Sequence, residues 1–233
     1  MNLSPILKKY DSRSLTVAVL GSHSALDVCR GAKDEGFKTL VVCERGRDKT
    51  YSHWFKTREA QGCVDEVLVV DKFKDLLHEQ VQSKLREKNA VFVPHRSFQV
   101  YLDFDYDAIE NDFQVPILGS RNLLRAEERN QPRNQYHLLQ KAGIRMPRQF
   151  ASPSQIDRLA IVKVSEKERK FERAFFFASS ARDFEAHASK LLKEGKITKQ
   201  ALESAVIEEF ALGTQVNFNY FYSPLRGEVE LLG

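Results

Sequence analysis

The chain has 233 residues, 42% hydrophobic and 29% charged, which suits one or two domains with a continuous core and excludes disorder as the main state. Its 36 Lys+Arg against 32 Asp+Glu leave a formal charge of +4, fit for small anions such as phosphates rather than for a dedicated nucleic-acid-binding protein. Cys29, Cys43 and Cys63 lack CxxC spacing, and no apolar run reaches membrane-spanning length, so neither a disulfide framework, a structural zinc site nor a membrane partner is expected and a cytoplasmic location is.

In chain order, Leu15 to Leu20 (LTVAVL) reads as a buried strand, Gly21-Ser22-His23-Ser24 as a turn, and the stretch up to Gly36 as a helix. Further strands are expected at Thr39 to Cys43, Glu66 to Val70, Ala90 to Pro94 and Val115 to Leu118, with a helix over Phe73 to Lys88. That alternation predicts an open parallel sheet flanked by helices. A charged helical segment from Asn122 to Gly143, interrupted at Pro132, marks a change of composition. Beyond Pro147 the pattern is α+β. Strands are expected at Leu159 to Val164, Ala174 to Ala178, Ala205 to Phe210, Gln215 to Tyr222 and Glu228 to Leu232, and helices at Ala181 to Leu192 and Thr198 to Glu203. Ser223 to Gly227 reads as a hairpin turn. The aromatic run Phe218, Tyr220, Phe221, Tyr222 reads as sheet core.

A turn directly after the first parallel strand lies at the carboxyl edge of a sheet, where backbone N–H groups can hold an anion. Gly21 permits close approach there, and Ser22, His23 and Ser24 add side-chain donors; Ser24 could instead simply cap the helix. Pro94-His95-Arg96-Ser97-Phe98 follows another strand and is expected at the same edge, with His95 alternatively a packed core histidine. The basic stretch from Arg121 to Arg133 fits no recognised nucleic-acid-binding module.

Taken in order, GSHSALDVCRGAKDEGF, RGRDKTY, VPHRSF, ILGSRNLLR, KAGIRMPR and IEEFALGTQVNFNYFYSPLRGEVELLG resemble the archaeal formate-dependent FAICAR synthetase (PurP) family of the ATP-grasp superfamily, over about Leu15 to Gly233. The resemblance implies an α/β protein of ATP-grasp type. Residues 1–120 would form an N-terminal open parallel sheet domain that binds a ribonucleotide, and 121–233 an α+β nucleotide-binding domain, incomplete at the C-terminus. It implies a carbon–nitrogen ligase that uses ATP and Mg²⁺ to join formate to the amine of aminoimidazole-carboxamide ribonucleotide (AICAR) through formyl phosphate, in a homo-oligomer with no nucleic-acid partner.

By the same resemblance, His23 and Ser97 match ribonucleotide-binding positions, and Lys163 matches a lysine on the nucleotide phosphates. Glu208, Glu209 and Phe210 match a hinge strand facing adenine, and Glu230 a position near the nucleotide. On the residues alone, Lys163 could be a surface lysine and Glu208 and Glu209 solvated charges. No catalytic side chain and no metal ligand is assigned; Asp103, Asp105 and Asp107 could be a cluster or one solvated face.

Two departures stand out. The stretch Val164 to Arg173 contains no glycine where the family has a glycine-rich phosphate loop, so a nest of backbone N–H groups is disfavoured there, and the charge of Glu166 to Arg173 predicts that this segment is mobile. The chain is also shorter than its family. The alternative function is a non-catalytic or altered-substrate purine-nucleotide-binding paralogue.

Overall fold

The computed structural model describes residues 3–59, 61–95, 97–128, 131–163 and 175–233. The segment expected to be mobile lies outside them. The chain divides between Ala142 and Gly143 into two units.

The first unit opens with a short helix, α1 (Ser4–Leu7), and continues through β1 (Thr16–Leu20), α2 (Ala25–Asp34), β2 (Lys38–Glu44) and β3 (Glu66–Val70). α3 (Glu79–Glu87), β4 (Ala90–Phe92), α4 (Ser97–Tyr101) and α5 (Tyr106–Asn111) follow. The strands form one parallel sheet in the order β3-β2-β1-β4. β1 and β2 are buried along almost their whole length, as expected for β-branched runs covered on both faces. One face packs on Phe73, Leu76, Leu85, Phe98, Ile109 and Phe113, the other on Ala25, Cys29, Tyr51 and Cys63. Burial pushes the Cys29 and Cys43 thiols up to about 12, so they pack as neutral apolar groups.

Two expected elements differ. Val115 to Leu118 contributes a single parallel bridge, Ile117 with Phe92, instead of a fifth strand. Pro116 sits in its middle without an N–H to donate, so the ladder cannot propagate. The helix expected over Phe73 to Lys88 is broken into a 3₁₀ turn (Phe73–Leu77) and α3, with His78 between them in extended backbone at φ −76° and ψ 136°.

Residues 121–142, expected to begin the second domain, belong to the first unit. Arg121 explains this: its guanidinium donates to the carbonyls of Ile109, Phe113 and Val115, tying the 3₁₀ segment Arg121–Glu127 to the end of the first sheet's packing. Arg125 adds ion pairs to Glu110 and Asp107. α6 (Gln135–Lys141), capped by Asn134 beyond Pro132, closes the unit.

The second unit contains an antiparallel sheet in the order β5-β8-β6-β7: β5 (Gln149–Phe150), β6 (Ala160–Lys163), β7 (Phe175–Ala178) and β8 (Val206–Glu209). α7 (Ala181–Lys193), capped by Ser180, lays Phe184 and Ala188 on Ala160, Val162, Phe176, Ala178 and Ile207. α8 (Lys199–Glu203) is capped by Thr198. β9 (Tyr220–Ser223) and β10 (Glu228–Leu231) form a separate hairpin, turned at Gly227 with φ +68°. The residues from 215 to 219 are not strand, and the aromatic run is no core: Phe218, Tyr220 and Tyr222 are 64%, 62% and 60% exposed. Among the described residues no helix is long and apolar enough to cross a membrane.

Candidate functional site

In the first sheet β2 lies on one side of β1 and β4 on the other, so the strand order reverses between β1 and β4. At such a reversal the loops leaving the carboxyl ends separate and open a crevice. The turns after β1 and β4 both lead into it. Gly21 is fixed by packing rather than by its dihedral angles: a Cβ there would stand 2.7 Å from Cys43 Sγ, 3.0 Å from Tyr51 and 3.1 Å from Val41. The backbone then turns sharply, and His23 adopts φ +32°, an unfavourable conformation for a residue with a side chain. Its Nδ1 lies 2.6 Å from Ser24 Oγ. Ser24 holds the N-cap position of α2 but makes no side-chain capping bond; its hydroxyl is turned to His23 instead.

His95 couples the two turns. Its Nε2–H donates to the Leu20 carbonyl (2.7 Å) and its Nδ1 accepts from the Ser97 N–H (3.1 Å), an arrangement that requires the neutral ring with the proton on Nε2. Burial holds its pKa below the usual histidine value. The His23 and His95 ring centres are 6.3 Å apart. The structure thus brings together the two turns that carry His23 and Ser97.

Arg47 and Tyr101 join this edge and were not singled out by sequence reasoning, although Arg47 lies in the quoted block RGRDKTY. Arg47 follows β2 and donates to Tyr101 Oη (3.0 Å), which also accepts from Ser22 Oγ (3.4 Å). The two donors hold the Tyr101 phenol below its usual pKa, the Ser22 bond contributing most. Asp103, Asp105 and Asp107 do not form a cluster. Asp103 pairs with Lys74, Asp105 caps α5 through the Ala108 N–H, and Asp107 pairs with Arg125.

In the second unit, strand alternation sorts the expected nucleotide residues. Ala160, Val162, Phe176 and Ala178 face α7, so Ile161, Lys163, Phe175 and Phe177 face the other way. Lys163 Nζ pairs with Glu208 Oε1, which puts Glu208 on that second face. Phe210 meets Phe177 there edge to face, with ring centres 4.9 Å apart. Phe177 is 48% exposed, so this face combines a cation with accessible aromatic surface.

Glu209, one residue on, is turned away from Glu208. Its carboxylate accepts from Arg158 and from the Arg148 N–H, the Arg158 bond being the main cause of its lowered pKa. Glu209, Phe210 and Leu212 line a cavity of about 400 Å³ with Asp157, Arg158 and Leu159. β8 is an interior strand: Glu209 N–H donates to the Arg148 carbonyl and Phe210 N–H to that of Leu159. These two donors are therefore spent within the sheet. Glu230 lies on the β9–β10 hairpin in an ion pair with Arg226, and no described contact joins it to Lys163. Among the described residues no group of three or more His, Cys, Asp or Glu side chains could hold a metal ion.

Residues 17–150 match a family described as protein of unknown function (DUF1246), and 183–233 match a domain of unknown function (DUF1297). A protein of Methanopyrus kandleri named 5-formaminoimidazole-4-carboxamide-1-(beta)-D-ribofuranosyl 5'-monophosphate synthetase is 44% identical over 98% of this chain and 60% of its own length. Its namesakes in Methanothermobacter thermautotrophicus and Methanocaldococcus jannaschii are 42% and 41% identical over 98% of the chain, which covers 59% and 60% of them. The chain thus spans about three fifths of these curated relatives. An ADP complex of an N5-carboxyaminoimidazole ribonucleotide synthetase superposes with a TM-score of 0.57 at 14% identity, covering 94% of this chain and 52% of that one. The enzyme of that name from Thermotoga maritima gives 0.54 at 16% identity, with the same coverages. These likenesses place the fold in the ATP-grasp class.

Proposed function

The chain belongs to the formate-dependent FAICAR synthetase family of the ATP-grasp superfamily, and on that premise we propose that it serves the formylation of AICAR. The observation that carries this reading is identity above 40% along nearly the whole chain to proteins named for that product. The reaction balances in two steps. Formate oxygen takes the γ-phosphoryl group of ATP, releasing ADP; the AICAR amine then attacks the formyl carbon, expelling phosphate and losing a proton. Both steps are favoured by positioning and by charge stabilisation more than by side-chain acid–base work.

The chain's own residues divide these tasks by unit. At the edge of the first sheet, His23 and the Ser97 turn hold the ribonucleotide in the crevice between β1 and β4. In the second unit, Lys163 takes ATP phosphate oxygens and Phe177 with Phe210 offers an apolar wall to the purine. To act so, Lys163 exchanges Glu208 for phosphate, so Glu208 competes with ATP rather than assisting it. Glu209 supports the strand from its opposite face through Arg158 and Arg148. Among the described residues no cluster of three or more His, Cys, Asp or Glu side chains could hold a metal ion, and no step is assigned to magnesium.

The test is incubation of the purified protein with ATP, Mg²⁺, formate and AICAR. FAICAR and ADP in equal amounts are expected; AICAR binding with no product would overturn the ligase reading in favour of a binding role.

A further inference from the structure

Among the described residues, three cations that follow β2 and β3 are matched by acids. Arg45 pairs with Asp71 at 2.8 Å, Lys72 with Glu44 at 3.3 Å and Lys74 with Asp103 at 2.9 Å. Arg47 differs. Among the described residues it makes no ion pair; its guanidinium carbon lies 5.1 Å from the centre of the Phe73 ring and 5.4 Å from that of Tyr101. One Nη1 donates to the Tyr101 phenol. Glu44, the acid on the preceding strand, is turned to Lys72 and to the Phe73 N–H.

A guanidinium has five N–H donors in a rigid plane, and a phenol that accepts one of them leaves its charge uncompensated. The two rings fix the plane of the group without neutralising it. Tyr101 Oη accepts from both Arg47 and Ser22, so its own proton is directed elsewhere. The result is a fixed cation and a hydroxyl donor beside the turn that carries His23. That is the donor set for a tetrahedral dianion, which a planar arginine can grip by two N–H groups at once.

We propose that Arg47, positioned by Phe73 and Tyr101, is the specificity residue that grips the phosphate monoester of the ligand bound in the first unit, so that this site discriminates a nucleotide from its nucleoside. The inference rests on the ribonucleotide reading of that site and adds to it the group that recognises the phosphate.

Calorimetric titration of the wild-type chain, Arg47→Gln, Arg47→Lys and Tyr101→Phe with AICAR, its unphosphorylated nucleoside and ribose 5-phosphate tests it. Arg47→Gln is expected to weaken AICAR and ribose 5-phosphate by about ten- to a hundredfold, the range for one lost charge-assisted contact, while leaving the nucleoside unchanged. Arg47→Lys should restore only part of the loss, since lysine keeps the charge without the planar fork. Tyr101→Phe keeps the ring and should cost less than Arg47→Gln. Equal losses for all three ligands would make Arg47 a merely structural residue and overturn the proposal, as would undiminished AICAR binding by Arg47→Gln or wild-type protein that binds neither phosphorylated ligand. Binding of ribose 5-phosphate but not AICAR by the wild type would instead leave the clamp standing and remove the AICAR reading.

Discussion

The crevice of the first unit and the open sheet face of the second hold their polar groups by opposite means. In the first, the two turns are fixed by close packing and main-chain bonds: Gly21 is wedged against Cys43 and Tyr51, and His95 spends both ring nitrogens on main-chain groups of the two turns it joins. In the second, the cation expected to meet phosphate is held by an acid on the neighbouring strand. A site fixed by backbone is ready for ligand, whereas one closed by an internal ion pair first exchanges partners, and its affinity is reduced by that competition. The contrast can be broken by substitutions that touch one region and spare the other.

The largest effect is expected at Lys163. Lys163→Ala should weaken ATP by about 1.5 to 3 kcal/mol, the range for a hydrogen bond to a charged group, and adenosine far less. AICAR, held in the other unit, should bind as before. Calorimetry with the three ligands reads this directly, and equal losses of ATP and adenosine would reject the phosphate role.

The packing of Gly21 gives a prediction with a sign. Gly21→Ala should destabilise the first unit by about 1 to 3 kcal/mol in urea unfolding, because the added methyl meets Cys43, Tyr51 and Val41 in a filled interior. Gly31→Ala, inside α2 where a Cβ meets nothing within 4 Å, should stabilise by about 0.5 to 1 kcal/mol through helix propensity. Two substitutions of the same chemistry thus separate close packing from chain entropy.

A smaller effect sharpens the account of the second region. Glu208→Gln removes the competing charge while nearly keeping its volume, so ATP should bind about fivefold more tightly, the equivalent of about 1 kcal/mol for an ion pair with a buried carboxylate and a partly exposed lysine. Unchanged or weaker ATP binding would show that Glu208 does not compete for Lys163.

How far these regions can be read from the sequence follows from the range of the interactions that build them. β1, α2, β2 and β3 are local patterns, and runs such as TVAVL followed by Gly-Ser-His-Ser place the first turn without any tertiary knowledge. The meeting of that turn with Pro94 to Ser97 followed from strand alternation alone. The Lys163–Glu208 pair did not, because it depends on the register of strands 45 residues apart, in which Ile161 sits opposite Glu208. Arg47 and Tyr101, 54 residues apart, are likewise joined only by tertiary packing. A domain boundary at 120 rests on a change in composition; the carbonyl contacts of Arg121, which tie that segment back to the packing of the first sheet, carry no compositional signal.

The smallest predicted effect is one of pH and belongs to the first region. His95 is held neutral because Nδ1 accepts the Ser97 N–H while burial disfavours the charged ring, so its pKa in the folded protein lies below the ordinary 6.5. An unfolded chain binds this proton first as pH falls, so the stabilisation from neutral His95 is fully present above 6.5 and is lost as pH drops through the lower folded value. Protonation would also put a donor on Nδ1, facing the Ser97 N–H, and loosen the joint between the two turns. Urea unfolding followed from pH 7 downward should therefore show a loss that is smaller in His95→Gln, since glutamine carries no titrating proton. A wild-type pH profile parallel to that of the variant would show that the joint does not depend on the neutral ring.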